Sequence, residues 1–374
     1  MSADRTKIDK FTPANNELPA PFVQVIGNEV NTIYNTAKML KNRDILLVFL
    51  LVTLAACRSN PLKINVSSIP LSVKAERLDQ DLFTVTPENI GETVPLLQKK
   101  YGDFFILYNR EVLAIGDPQD SLYNSYLLSF LQGPNLADVK RRSDSIFHDF
   151  TVYEKQLEIA FKHHRYYYPS VPLPHIYTYL SEFNQAIVTM PGAIGISLDN
   201  YLGADCDFYR RLGWPAYKKA NLVPQKLAYD ALYGWVSQQF EYKGNTENLI
   251  SGMIHQGKLL YFLDALVPDG PDSLKIGYRK EQLDWCKEHE PDMWSYLVEN
   301  RMLFSGDRMN LVRFINPAPF TTPFGQKSPG KTGVWIGWQI VKSYMKKTPG
   351  ITVQGLMAEN DYHKILNESG YAPD

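Results

Sequence analysis

The residues best placed to do chemistry lie on one apolar stretch, Leu249-Ile250-Ser251-Gly252-Met253-Ile254-His255-Gln256-Gly257-Lys258-Leu259-Leu260-Tyr261-Phe262. A helix carrying H-E-x-x-H sets two imidazoles one turn apart on one face, where they hold zinc, and the glutamate between them serves as general base. His255 stands at the first ligand position of such a pattern. Gln256 stands where the base belongs and cannot take a proton at neutral pH. Leu259 stands where the second imidazole belongs and cannot ligate a metal. A third ligand is also missing downstream, because Lys331 to Lys346 contains no Asp, Glu or His. These residues predict a groove without catalytic residues, metal or cofactor. Its expected lining is His255, Gln256 and Lys258, with Trp338 contributed by a later helix.

Other clusters have plainer readings. Asp199, Asp205 and Asp207 share a glycine-containing loop that invites calcium, but their spacing does not match the EF-hand loop, and solvated loop acids are expected. His163-His164-Arg165, followed by Tyr166-Tyr167-Tyr168, reads as a helix end with snorkelling side chains. Trp335 and Trp338 stand three apart beside Ile336, Ile340 and Val341, which predicts core packing. Cys206 and Cys286 are 80 positions apart with no geometric reason to pair, so two buried free thiols are expected over a disulfide. No phosphate-binding loop, dinucleotide fingerprint or G-x-S-x-G elbow is present.

The third cysteine, Cys57, has a different setting. Lys41 and Arg43 precede an uninterrupted apolar run from Ile45 to Val52, continued by Thr53 and Leu54 and closed by Ala55-Ala56-Cys57. The run is short of the roughly 20 residues a spanning helix needs. A basic start, an apolar core and a small-residue exit describe a cleaved export signal. Leu54-Ala55-Ala56-Cys57 resembles the bacterial lipobox, which implies a diacylglyceryl group on Cys57 and cleavage just before it. Acyl chains contribute about 0.8 kcal/mol per buried CH₂, so two or more hold a soluble domain to a membrane. Signals begin close to their basic residues, so Met39 is the expected start, 39–56 the signal, and 1–38 an extension outside the functional protein. Arg58, Ser59 and Asn60 after the cysteine form no acidic export run, which favours a periplasm-facing position.

The elements that must position these residues follow from periodicity. Residues 57–75 read as linker and lead-in, and Leu62–Val85 shows strand-like alternation with Pro61 and Pro70 limiting any helix. From Glu92 to about Arg165 the apolar spacing is helical. Ile176–Leu180 and Ala186–Met190 turn to a β pattern. After the Pro191-Gly192 turn, Ile194, Ile196 and Leu198 alternate with Gly195, Ser197 and Asp199, as in a strand with one buried face. Pro224 opens a helix through Phe240, and Lys243-Gly244-Asn245 breaks it. Thr246 is the expected cap of the long apolar helix ending near Leu266 before Pro268. Further helices are expected at 279–288, 292–304, 333–346 and 353–368.

Composition agrees with a single large domain over 76–374. At 44% hydrophobic and 21% charged residues there is ample material for a core, and a net charge of −1 supplies no field for nucleic acid. The class is α+β: mostly helical with one small sheet or hairpin, in a degenerate zincin-like arrangement.

Three blocks carry a family resemblance. They are Ile254–Phe262 continued by Asp264-Ala265-Leu266-Val267-Pro268-Asp269, then Leu198-Asp199-Asn200-Tyr201-Leu202-Gly203, and Ser328-Pro329-Gly330-Lys331-Thr332-Gly333-Val334-Trp335-Ile336-Gly337-Trp338-Gln339-Ile340-Val341. In this order behind a lipobox, they resemble the GldB family of gliding-motility lipoproteins, itself similar to predicted zinc metalloproteases. The resemblance implies a lipid-anchored, non-catalytic envelope component whose protein partners belong to the gliding apparatus and its associated secretion system. Two alternatives stay open at this level: a zinc-dependent peptidase-like hydrolase with unusual ligands, and a glycan-binding envelope lipoprotein with an exposed aromatic platform.

Overall fold

The computed structural model describes residues 60–244 and 247–373. The export segment, Cys57 and the expected cap Thr246 lie outside the described residues.

Four strands form one small mixed sheet: β1 (Ala75–Arg77), β2 (His175–Tyr179), β3 (Ile187–Met190) and β4 (Ala193–Ser197). The order is β1-β2-β4-β3. β1, β2 and β4 run parallel, while β3 returns antiparallel to β4 with Ile187 opposite Ile196 and Met190 opposite Ala193. The expected hairpin is therefore β3–β4, turned at Pro191-Gly192, where Gly192 takes a φ of 80° that a side chain would resist.

The expectation of one buried face on β4 is corrected, since all five of its residues are buried. Ile194 and Ile196 join the larger core with Ile176, while Ala193, Tyr177 and Tyr179 face a second, aromatic core with Phe104 and Tyr108. Alternate side chains point to opposite faces of a strand. Here helices cover both, and the small residues read as solvent-facing admit bulky neighbours. A Cβ on Gly195 would lie 2.5 Å from the Phe104 ring and 2.9 Å from Tyr179.

The lead-in holds less strand than its alternation suggests. Only Ala75–Arg77 pairs, and a short helix, Leu78–Asp81, follows directly. Leu62 and Val73 are nevertheless packed into the larger core, and the Ala75 amide donates to Glu154 at 3.0 Å. The 92–165 region divides into Ile90–Tyr101, Asp103–Leu107, Tyr123–Leu131, Leu136–Phe147 and Thr151–Tyr167. The first break is Gly102, at φ 55°.

The long apolar helix spans Leu249–Leu266 and is the axis of the larger core. Asn248 caps it, accepting from the Ser251 amide at 3.0 Å. Apolar residues fall on every side of it, as a helix enclosed all round requires, with His255, Gln256, Lys258 and Asp264 as polar exceptions. The closest partner is the helix Thr332–Lys347, and the contact is backbone against backbone. A Cβ on Gly257 would stand 2.2 Å from the Gly337 carbonyl oxygen, and one on Gly337 would stand 2.0 Å from that of Met253. Gly333, one turn before Gly337, packs on Phe314 less tightly, at 2.9 Å from its carbonyl oxygen by the same measure. The expected 292–304 helix is Glu290–Glu299, and the expected 353–368 helix is two, Val353–Ala358 and Tyr362–Ser369, each with its own side-chain cap from Thr352 and Asp361.

Candidate functional site

His255 and Lys258 line a cavity of about 410 Å³ beside the central helix, walled by Tyr168, Phe240, Gln354 and Tyr362. The His255 imidazole lies edge-on to Tyr242, with ring centres 5.4 Å apart, and its Nδ1 is 3.3 Å from the Tyr362 hydroxyl. Tyr242 and Tyr362 stack parallel at 5.2 Å. Burial, helped by the charge of Lys258, lowers the His255 pKa to about 4, so the ring is neutral at physiological pH.

Lys258 is only 3% exposed. Its ammonium donates to the main-chain carbonyls of Glu359, at 2.6 Å, and Met357, at 3.3 Å, and lies 5.2 Å from the centre of the Tyr362 ring. It thereby closes the end of the helix Val353–Ala358, whose last carbonyls have no partner within the helix. Burial pulls its pKa down to about 8, against the opposing pull of the Glu359 carboxylate. The chemistry on offer is recognition: a neutral imidazole, an ammonium that already prefers peptide carbonyls, and aromatic walls.

The expected four-residue groove is corrected, because the structure divides its members. At about 100° per residue, Lys258 falls roughly 60° from His255 on one flank, and Gln256 falls on the other. Gln256 accepts from the Tyr233 hydroxyl and lines a separate cavity of about 300 Å³. Leu259, at the second imidazole position, is buried in the core. Trp338 is fully buried and lines neither cavity; its indole N–H donates to Asp264 at 2.9 Å, and Lys342 sits 3.6 Å over its ring. Trp335 is also buried, at 3% exposure, so the two tryptophans offer no exposed platform for a glycan.

Two further expectations change. Asp199 is not a solvated loop acid. It is fully buried, accepting from the amides of Ser181 and Phe183 at 3.0 and 2.9 Å and from the Ser197 hydroxyl. It pins Glu182 and Phe183, both at positive φ, in the turn between β2 and β3. Asp205 and Asp207 are exposed, and Asp207 pairs with Arg210 at 2.7 Å. The neighbouring histidines do not snorkel either. His164 is fully buried, its ring centre 4.4 Å from that of Trp235 and tilted to it, and it is bonded to Gln239 at 3.0 Å; His163 bonds the Ile159 carbonyl at 2.9 Å. Cys206 and Cys286 are buried free thiols. Among the described residues, no group of three or more His, Cys, Asp or Glu is arranged to hold a metal, and no helix is long and apolar enough to cross a membrane.

Tyr242 and Tyr362, which complete the His255 site, gave no local signal. Both reach it through tertiary packing from segments without motif character.

Fold and site together define a mostly helical α+β protein with a cavity beside its central helix. The family model described as gliding motility protein GldB matches residues 59–373, and the chain belongs to that family. No curated protein and no solved structure matches the chain.

Proposed function

We propose that this chain is a lipid-anchored component of the cell envelope that serves gliding motility and its associated secretion machinery through protein contacts, without catalysis. The observation that carries the reading is the family match over 59–373, directly behind the lipobox-like Leu54–Cys57. The geometry around His255 supports a binding role. Its ring is held by two tyrosines, Lys258 is committed to main-chain carbonyls, and the residue at the base position is bonded to Tyr233. The cavity beside His255 and Lys258 takes a peptide segment of a partner, and the anchor on Cys57 holds the domain facing the periplasm.

The test is complementation in a gliding host that lacks the chain. The wild type restores colony spreading and fractionates with membranes. Cys57→Ala stays unlipidated and fails to restore spreading. Spreading by that variant, with the protein still in the membrane fraction, overturns the anchor. Purified protein that retains stoichiometric zinc and cleaves peptides overturns the non-catalytic reading.

A further inference from the structure

The cavity on the opposite flank of the central helix has a different character. Its walls include Lys226, Asp230, Tyr233, Gln256 and Lys331, with Asn316 at the rim, in a volume of about 300 Å³. Lys275 also borders it. Three ammonium groups around one small space are costly unless each is balanced, because a buried charge needs a partner.

Two of the three are balanced. Lys226 is paired with Asp230, whose second oxygen accepts from the Tyr201 hydroxyl at 3.1 Å, so each oxygen of that carboxylate already has a donor. Lys275 is paired with Asp264 at 2.7 Å. Lys331 is different. Among the described residues it forms no ion pair; its ammonium donates to the Ile276 carbonyl at 2.6 Å and lies 5.8 Å from the centre of the Tyr278 ring. Burial and the nearby charge of Lys226 lower its pKa to about 8, and the Asp230 carboxylate, already paired with Lys226, opposes that only in part.

The backbone at Lys331 adds a second, independent observation. It sits at φ 59°, ψ 30°, in the left-handed region. For a residue other than Gly or Asn this conformation is strained. The strain places a cation, where a glycine would fit more easily, at the mouth of a cavity already holding Lys226. Gln256 contributes as well: it lines the cavity, and with its amide oxygen taken by Tyr233 what it has left to offer is its amide N–H donors.

We infer that this cavity is a binding site for a small oxyanion, a phosphate or a carboxylate, held by Lys331 with Lys226 and Gln256. The anion supplies the charge that Lys331 lacks, in the manner of other charge-assisted hydrogen bonds. The site is separate from the His255 cavity and does not rest on the peptide-binding reading.

The experiment uses the soluble domain purified in a buffer free of oxyanions. Its unfolding midpoint is measured with inorganic phosphate, with succinate, and with chloride at matched ionic strength. A rise with phosphate or with succinate beyond the chloride control is expected, and whichever arm responds names the ligand chemistry. Two variants locate the effect. Lys331→Asn removes the cation but tolerates the left-handed backbone. Gln256→Glu keeps the shape and puts a carboxylate where the ligand belongs. Each weakens binding by about tenfold or more, the scale of one charge-assisted hydrogen bond. His255→Ala, in the other cavity, leaves it unchanged. No response to either oxyanion overturns the inference, as does a response undiminished in the Gln256→Glu protein.

Discussion

At the scale of single residues, the most consequential groups are buried ones that read as exposed. His164 is the clearest case. Burial lowers its pKa from 6.5 to about 4, and Gln239 resists the drop only in part. A histidine held neutral in the fold but free to protonate when unfolded makes the unfolded chain bind more protons between those two values. Stability is thus intact above about pH 6.5 and falls as pH drops toward 4. The full contribution is at most about 3 kcal/mol. His255, lowered to about 4 as well, pulls in the same direction. Urea midpoints measured from pH 7 to pH 4.5 should decline. His164→Phe, which keeps an aromatic ring against Trp235, should flatten part of that decline. An unchanged slope would show that the ring is not held neutral. None of this was legible locally. His163-His164 next to three tyrosines looks like a wet helix end, and only the packing of Trp235 and Phe262 against it encloses the pair.

At the scale of elements, the pairing of Leu249–Leu266 with Thr332–Lys347 forms the middle of the larger core, and both helices contribute to the lysine-lined cavity. Gly257 and Gly337 let the two backbones touch, and a methyl group at either would meet a carbonyl at about 2 Å. Gly257→Ala should cost about 3 kcal/mol or more, at the upper end of overpacking effects, although alanine is the better helix former. A variant as stable as the wild type would mean that the helices part easily. The apolar run of the central helix, its stop before Pro268 and the β3–β4 hairpin were legible because they depend on neighbours in sequence. The division of the expected groove was not. Helical rotation separates Gln256 from His255, and burial of Trp338 depends on where a second helix lands. The cap shows the same limit, since Asn248 and Thr246 both suit the role by type. The lysine-rich cavity is less legible still, because Lys226, Gln256 and Lys331 come from three separate segments.

At the scale of the whole molecule, the sheet lies between two cores, one aromatic and one around the central helix. Residues from Pro61 onward form one compact unit, and the shared sheet couples its cores. Calorimetry of the soluble domain should therefore show one unfolding transition; two separated transitions would mean that the cores melt independently. The topology of β1 has a mechanical side. It contributes three residues, pairs in parallel with a strand about a hundred positions later, and is the first strand after the lead-in. A pull on the N-terminal end of the domain meets the Lys63–Asp269 pair and then the Ala75–Glu154 bond. Beyond them it reaches the β1–β2 ladder, loaded along its length so that its hydrogen bonds share the force instead of opening singly. Under traction on that side, the short ladder is the joint through which the load reaches the interior of the domain.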